Sequence, residues 1–278
     1  MFKGFYTVAT GMVSQQRKTE IITNNMANAN TPGFKSDQST IRSFPDMLLS
    51  AVGSTNIPTQ NKLSAAQLQQ IGSVNTGVYL QETLANYTQG SLYETSQSTD
   101  VALINGAMPT DEESGEVGTI FFRLEHPEGG EAYTRNGNFT LDGQGYLVNA
   151  QGLYVLSAEG ERIQLPNDQF TLTEEGNIVV NDELSASLGV SFSANPNTLV
   201  KQDNGVYRTI DGTALPSAFE QDGVTFSMKQ SYLEGSNVDS AQSMTDLLTA
   251  YRAFEANQKV LQAYDKSMEK AVNEIGRV

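Results

Sequence analysis

The sequence predicts an α+β protein in which a mainly antiparallel β domain is inserted between N- and C-terminal helices that pair as a coiled-coil-like unit. Apolar residues recur at heptad spacing in residues 3–27 and again in residues 239–275. Residues 91–228 instead carry short β-type runs between Xaa-Gly pairs, at intervals of roughly 8 to 12 residues that are typical of antiparallel hairpins. We therefore predict four segments. They are an N-terminal helix with an Asn-rich turn (1–35), a linker (36–90), a β-rich domain (91–228) and a C-terminal helix (229–278) that packs with residues 1–35.

The N-terminal segment has one apolar seam with a single polar break at Gln15. Gly11 weakens this helix by about 1 kcal/mol relative to Ala. Pro32 disfavours a helical residue before it, so the helix is predicted to end in the Asn-rich stretch that precedes this proline. The seam residues are Phe5, Val8, Met12, Thr19, Ile22, Met26 and Ala29.

The C-terminal segment has a longer heptad pattern that no Gly or Pro interrupts. With Met244 taken as an a position, the a series is Met244, Tyr251, Gln258, Asp265 and Val272, and the d series is Leu247, Phe254, Leu261, Met268 and Ile275. The polar a residues Gln258 and Asp265 are of the kind that fixes register and partner number at a cost in stability. Two interpretations fit both seams: an intramolecular helix pair packed on a core, or an assembly device.

Between the helices the character of the chain changes twice. Residues 36–90 are rich in Ser, Thr, Gln and Asn, with a short apolar helix predicted over 44–52. Residues 91–228 read as strands, for example over 121–124, 178–180 and 206–210, with turns such as Gln151-Gly152 and Glu175-Gly176 between them.

The composition excludes several functional classes. There is no Cys and one His, so no metal site, disulfide or cofactor is predicted. Residues 91–228 contain 21 acidic and 5 basic residues, which argues against a nucleic-acid partner. No run of 18 apolar residues occurs, and residues 1–7 contain no apolar h-region, so neither a transmembrane helix nor a Sec-type signal peptide is predicted. No catalytic signature such as Gly-x-Ser-x-Gly is present, so we predict neither an enzyme nor a small-molecule substrate.

Motifs at both ends carry a specific resemblance. The segments Asn24-Asn25-Met26-Ala27-Asn28-Ala29-Asn30-Thr31-Pro32-Gly33-Phe34-Lys35 and Leu233-Glu234-Gly235-Ser236-Asn237-Val238 resemble the signatures of bacterial flagellar rod and hook axial proteins. Residues 250–261 resemble the same family, and residues 89–92, 133–139 and 145–148 match more loosely. Two departures stand out. Phe121-Phe122 lie downstream of their usual place, beyond an acidic insertion, and Ser231 stands where the family often has Gly.

The resemblance implies a structural subunit of the flagellar basal-body rod, of the type found near the rod–hook junction in Gram-positive bacteria. Its terminal helices would polymerise into the axial tube that transmits torque and conducts exported subunits. Its partners would be copies of itself, other rod and hook axial proteins and the flagellar export apparatus, and it would reach the basal body without a Sec signal. The alternative function is an extracellular binding or glycan-acting β domain on a coiled-coil stalk.

From the end motifs we predict the residues that contact neighbouring subunits. The amides of the Asn-rich turn are expected to bond to those subunits or, alternatively, to cap a helix end within one subunit. In a dilute monomer, residues 1–35 and 240–278 are expected to fray while the β domain stays folded. The predicted contact residues are Asn24, Asn25, Asn28, Asn30, Gly33, Phe34, Glu234, Ser236, Asn237, Leu247, Tyr251, Arg252, Phe254, Asn257, Gln258 and Leu261.

Overall fold

The computed structural model describes residues 2–57, 63–112, 115–202 and 205–275. Helix α1 (Phe2–Ala27) opens the chain, and helix α2 (Ser240–Lys270) closes it and runs into a π-helical turn, Ala271–Ile275. The terminal helices and the antiparallel β-rich centre are confirmed. The strands are β1 (Asp37–Ser43), β2 (Met47–Ile57), β3 (Leu63–Val74), β4 (Val78–Ala85), β5 (Leu92–Glu94), β6 (Val101–Asn105), β7 (Thr119–Glu125), β8 (Glu131–Thr134), β9 (Phe139–Leu141), β10 (Leu147–Asn149), β11 (Thr171–Leu172), β12 (Asn177–Val180), β13 (Glu183–Ser187), β14 (Val190–Ser193), β15 (Leu199–Lys201), β16 (Val206–Thr209), β17 (Phe226–Gln230) and β18 (Tyr232–Glu234).

The chain divides into two compact units. The helical unit comprises residues 1–24, 38–84 and 241–278, and the β unit comprises residues 25–37 and 85–240. The four-part segmentation drawn from the sequence stays a prediction. In the structure, the Asn-rich turn and the segment before α2 lie with the β-rich residues in one unit.

In the helical unit, α1 and α2 approach each other through glycines. A Cβ on Gly11 would lie 3.2 Å from Asn257 Nδ2, and one on Gly4 would overlap the Tyr264 hydroxyl. These two contacts are seven residues apart on each helix and run in opposite directions, so the helices form an antiparallel pair with a heptad repeat. Gly11 is a poor helix former, but its lack of a side chain allows the two helices to approach closely at this point.

The buried face of α2 differs from the predicted seam. The d residues Leu247, Phe254 and Leu261 are half-buried, but the a residues Met244 and Tyr251 are exposed. The other described a residues are exposed too, and Ala250, Asn257 and Tyr264 are covered in their place. The d row of the predicted α2 seam is therefore covered, but the a row is wrong by one residue, because Tyr264 and Asn257 fit against Gly4 and Gly11. The predicted seam residues of the N-terminal segment are all covered, six of them on α1 and Ala29 in the turn that follows it.

Two strand pairs complete the helical unit. β1 pairs with β4, and β2 pairs antiparallel with β3 over most of their length. The short helix predicted over 44–52 is wrong, since β2 begins at Met47. A brief apolar run is compatible with either structure, and here the ladder with β3 decides the outcome.

The β unit is built on an antiparallel five-stranded sheet of order β14-β7-β8-β16-β15. Strand β7 lies between β14 and β8, and its alternating side chains contribute to two buried clusters. Phe122 lies in the larger one with Leu103 and Ile178, while Phe121 packs with Tyr133 and Tyr207 in the smaller one. The downstream Phe121-Phe122 pair is thus accommodated in a regular ladder.

Ser231 has a left-handed backbone with φ of 62°. Its N–H donates to the Asp100 carbonyl at 2.8 Å, and its carbonyl accepts from the Thr95 N–H at 2.9 Å, so both neighbours fix this conformation. A residue with a Cβ is disfavoured there by about 1–2 kcal/mol. The sequence departure at this position therefore coincides with backbone strain.

Candidate functional site

The Asn-rich turn is folded back on itself by Asn25. Its buried amide donates from Nδ2 to the Asp37 carbonyl at 2.7 Å, and its Oδ1 accepts the Asp37 N–H at 2.9 Å. Within the turn, the Thr31 hydroxyl donates to Asn28 Oδ1 at 3.2 Å. The Asn25 amide thereby closes residues 25–37 into a loop at the end of α1. This contact lies within one chain and joins Asn25 to the Asp37 backbone, not to a helix end. Contacts of the Asn-rich turn with neighbouring subunits stay a prediction.

Gly33 joins this loop to the segment before α2. Its φ is 69°, a conformation that favours glycine, and its N–H donates to the Glu234 carbonyl at 2.7 Å. A Cβ at this position would lie 2.5 Å from the backbone carbon of Arg135. Only glycine fits at this crossing of three chain segments.

Glu234 is the centre of the site, which we call the Glu234 cluster and define as Lys35, Arg135 and Glu234. Lys35 Nζ lies 2.6 Å from Glu234 Oε1, and Arg135 Nη2 lies 2.6 Å from Oε2. Arg135 Nε donates to the same Oε2 at 2.8 Å, and the Gly90 N–H donates to Oε1 at 2.9 Å. All three charged side chains are buried. One carboxylate thus joins the N-terminal motif, the β domain and the C-terminal motif.

The two cations also bond to neutral acceptors. Lys35 Nζ donates to the Thr88 carbonyl at 2.8 Å. Arg135 Nη1 donates to Asn105 Oδ1 at 2.9 Å and to the Ile120 carbonyl at 3.0 Å. Buried charges are tolerated when they are paired and hydrogen-bonded in this way.

At both Lys35 and Glu234, burial and the charge of the ion-pair partner shift the pKa in opposite directions. Burial, then repulsion from Arg135, lowers the pKa of Lys35 to about 8, and the attraction of Glu234 only partly opposes this. Burial alone would raise the pKa of Glu234, but Arg135 and Lys35 outweigh it and bring that pKa below its usual value. Two cations share one carboxylate, so the carboxylate gains from both while the lysine is the less stabilised partner.

Asn237 makes the next connection toward α2. Its Oδ1 accepts the Ser36 N–H at 2.8 Å, and its Nδ2 donates to the Asn86 carbonyl at 2.7 Å. Beside it, the Ser236 hydroxyl accepts the Val238 N–H at 3.3 Å. The segment before α2 is therefore tied to the loop that follows α1.

Lys201 covers the other side of this loop. Its Nζ lies 4.0 Å from the centroid of the Phe34 ring and donates to the Lys35 carbonyl at 2.9 Å. It also pairs with the Asp37 carboxylate at 3.0 Å. Phe34 is buried by this arrangement.

The residues predicted to contact other subunits thus fall into two groups. In the β unit, Asn25, Gly33, Phe34 and Glu234 are buried and make their contacts within the chain, whereas Asn30 is exposed. In the helical unit, Leu247, Phe254, Asn257 and Leu261 are half-buried, whereas Tyr251, Arg252 and Gln258 are exposed. Their assignment to subunit contacts stays a prediction. The sequence reasoning did not single out Lys35 or Arg135, although both stand inside the quoted motifs and carry the charges that a buried Glu234 needs.

The Glu234 cluster holds segments of the chain together. Its acid and its two bases are buried and bonded to one another. Within the described ranges, no group of three or more His, Cys, Asp or Glu side chains is placed to hold a metal ion. Among the described helices, none combines the length and apolar character that crossing a bilayer requires.

Comparison with known proteins identifies the family. A family model described as flagella basal body rod protein matches residues 5–35, the flagellar hook protein FlgE/F/G D1 domain matches 117–186, and the flagellar basal body rod FlgEFG protein C-terminal matches 229–274. The flagellar hook-basal body complex protein FlhO of Bacillus subtilis is 42% identical over 278 residues, covering 100% of both chains. The flagellar basal-body rod protein FlgG is 30% identical in Bacillus subtilis, over 98% of this chain and 99% of that protein. In Agrobacterium fabrum it is 31% identical, over 93% and 94%.

The chain therefore belongs to the family of flagellar basal-body rod and hook proteins, whose members are structural components of the flagellum. This confirms the resemblance drawn from the end motifs. The function is that of a structural subunit of the basal-body rod or of the hook junction.

Proposed function

We propose that the chain polymerises through its terminal helices into the axial tube that transmits torque and conducts exported subunits. One observation carries this proposal. The helices pair with each other at Gly11 and Asn257, yet the predicted a residues Met244 and Tyr251 of α2 stay exposed. Exposed apolar residues that follow a helical repeat are typical of a surface that another helix covers.

We further propose that its partners are copies of itself and other rod and hook axial proteins, without a nucleic acid or small-molecule substrate, and that it has no catalytic role. The proposed route to the basal body is the flagellar export apparatus, as an unfolded chain. The Lys35–Glu234 pair supports a route in which the chain folds after export. Residues so far apart in the sequence can meet only after both have left a narrow channel.

The test is the substitution Phe254→Ala. Phe254 is half-buried at a d position of α2, and loss of a buried Phe or Leu side chain costs about 2–5 kcal/mol. In a polymer that loss recurs in every subunit. We expect Phe254→Ala to leave the β unit folded, measured by circular dichroism, and to abolish both swimming and recovery of the protein in isolated basal bodies.

Glu112→Gln, an exposed change in the β-rich segment, serves as the control and should alter neither property. A swimming strain that carries Phe254→Ala at normal protein levels would contradict the proposal. That result would favour the stalked β domain, in which the helices only display another binding site.

A further inference from the structure

The helical unit has an apolar groove on α1. It encloses 370 Å³ between α1 on one side and Phe44 with the start of strand β4 on the other. Its walls include Ala9, Val13 and Arg17 on the helix, and Phe44, Val78 and Tyr79 on the opposite side. Val13 is 49% exposed within it, so the groove is open to a partner.

Helix α2 carries an exposed apolar stripe, which we define as Met244, Leu248 and Tyr251. These side chains are 49%, 49% and 61% exposed. They are four and three residues apart, so they share one face of the helix, and Glu255 continues the same face one turn later. The stripe and groove are both apolar, and each ends in a charged residue of opposite sign.

One copy of the chain cannot bring these two surfaces together. At 3.6 residues per turn, Val13 lies nearly opposite Gly11 on α1, and Leu248 lies opposite Asn257 on α2. Gly11 and Asn257 are the residues through which the two helices face each other. The groove and the stripe therefore lie on outer sides of the pair.

We propose that the Met244–Leu248–Tyr251 stripe of one copy docks in the α1 groove of a second copy, with Glu255 beside Arg17. The groove extends about 12 Å along α1 and the stripe with Glu255 about 16 Å along α2. With Glu255 beside Arg17, Leu248 and Tyr251 therefore fall within the groove and Met244 lies just beyond its end. Glu255 now pairs with Lys259 at 2.8 Å, but this pair is exposed, and such pairs contribute little stability and exchange readily.

The contact is heterologous, because it joins two different surfaces. Each copy offers one groove and one stripe, so the arrangement extends from copy to copy and does not stop at a dimer. This inference rests on the proposed function, for which it supplies one specific subunit contact.

Cysteine cross-linking tests the contact, since the chain has no Cys of its own. Strains that make the Val13→Cys and Tyr251→Cys chains together should yield a disulfide-linked dimer in isolated basal bodies after mild oxidation. Each single variant alone should remain monomeric on a denaturing gel. A Val13→Cys chain made with a Val260→Cys chain is the matched control and should give several-fold less dimer, because Val260 is exposed but lies off the stripe.

A double variant, Val13→Cys with Tyr251→Cys, separates the possible outcomes. A ladder of multimers supports the proposal, while a monomer closed by an internal disulfide overturns it. Cross-links only to a different flagellar protein, or none from chains that are present in basal bodies, also overturn it and leave the proposed function intact. If the unmodified chain is itself missing from basal bodies, the proposed function fails.

Charge exchange provides a second test that needs no cysteine. Arg17→Glu alone should reduce swimming several-fold, and the double variant Arg17→Glu with Glu255→Arg should restore it. Lys259→Gln, next to the stripe, should leave swimming unchanged. A double variant that swims no better than Arg17→Glu alone overturns the pairing of Glu255 with Arg17.

Discussion

Lys35 and Glu234 form an ion pair of 2.6 Å, with both side chains about 1% exposed, although 199 residues separate them in the sequence. Closing so long a loop costs chain entropy, so the pair depends on the packing around it. Arg135 binds the other carboxylate oxygen, and Gly33 donates to the Glu234 backbone. The pair thus fixes the segment that follows α1 against the segment that precedes α2.

The first prediction concerns Glu234→Gln. Gln keeps the shape of the side chain but removes the charge, which leaves Lys35 and Arg135 buried together without an anion. Breaking a buried pair in this way costs about 3–5 kcal/mol. We expect the urea midpoint of the full chain, followed by near-ultraviolet circular dichroism of its tyrosines, to fall accordingly.

Glu125→Gln is the matched control for that experiment. Glu125 pairs with Arg162 at 2.5 Å, but this pair is largely exposed, and exposed pairs contribute little to stability. The urea midpoint of this variant should stay close to that of the unmodified chain. If both variants shifted the midpoint equally, the burial of the Glu234 cluster would not be the source of its stabilising effect.

The second prediction concerns alkaline pH. The pKa of Lys35 is about 8 in the folded chain and 10.5 at its ordinary value. Between these values the unfolded chain binds more protons than the folded one, so the free energy of unfolding should rise with pH, by about 1.4 kcal/mol for each unit of pKa difference. Above pH 10 the trend should reverse, because burial raises the pKa of Tyr87 and Tyr133 above their ordinary value of 10.0.

Urea unfolding measured at intervals from pH 7 to about 11 checks this profile, as those limits bracket the ordinary lysine pKa. Lys35→Met should remove the rise and keep the fall above pH 10. A rise of equal size in the Lys35→Met variant would assign it to another group.

The terminal helices show what a heptad pattern in the sequence can and cannot predict. On α1 the predicted seam and the covered face agree, since Val8, Met12 and Ile22 all pack inward. On α2 the same pattern names the correct d residues but the wrong partner row. Apolarity alone ranks Tyr251 above Asn257, whereas the structure covers Asn257 because Gly11 faces it. Which residue fits depends on the facing helix, and a periodicity within one helix does not contain that information.

The Glu234 cluster shows a different limit. The end motifs that form it are visible in the sequence, and their resemblance to a family is specific. Their contacts join residues 35, 135 and 234, which no local pattern connects. From the sequence alone, a lysine, an arginine and a glutamate in three separate motifs are each expected to be exposed, because these residue types are mostly found on the surface. Only the fold shows that they are buried together.

The third prediction concerns Ser231→Gly. Ser231 holds a left-handed backbone that disfavours residues with a Cβ. Glycine relieves that strain but adds freedom to the unfolded chain, so we expect a net gain of about 1 kcal/mol in the free energy of unfolding. Ser227→Gly, within strand β17, is the control and should lower stability, since Ser227 pairs with Ile104 in a regular ladder. Equal effects of the two changes would contradict the role assigned to the backbone at 231.

The last prediction concerns the isolated monomer. From the sequence, residues 1–35 and 240–278 are expected to exchange amide protons rapidly in dilute solution, but the structure narrows the first range to residues 1–24. The N–H groups of Gly33, Ser36 and Asp37 are all bonded within the β unit, so they should be protected along with strand β7. Helix α2 carries the exposed apolar stripe and α1 lines the apolar groove, so in the monomer their amides should exchange much faster than those of β7. Hydrogen exchange followed by mass spectrometry on dilute full-length chain measures this contrast.

Protection along both helices equal to that of β7 would show that the helix pair is stable in the monomer. Assembly would then not be needed to order the two ends of the chain. Loss of protection at residues 33–37 in Glu234→Gln, with β7 still protected, would locate the effect of that substitution at the Glu234 cluster.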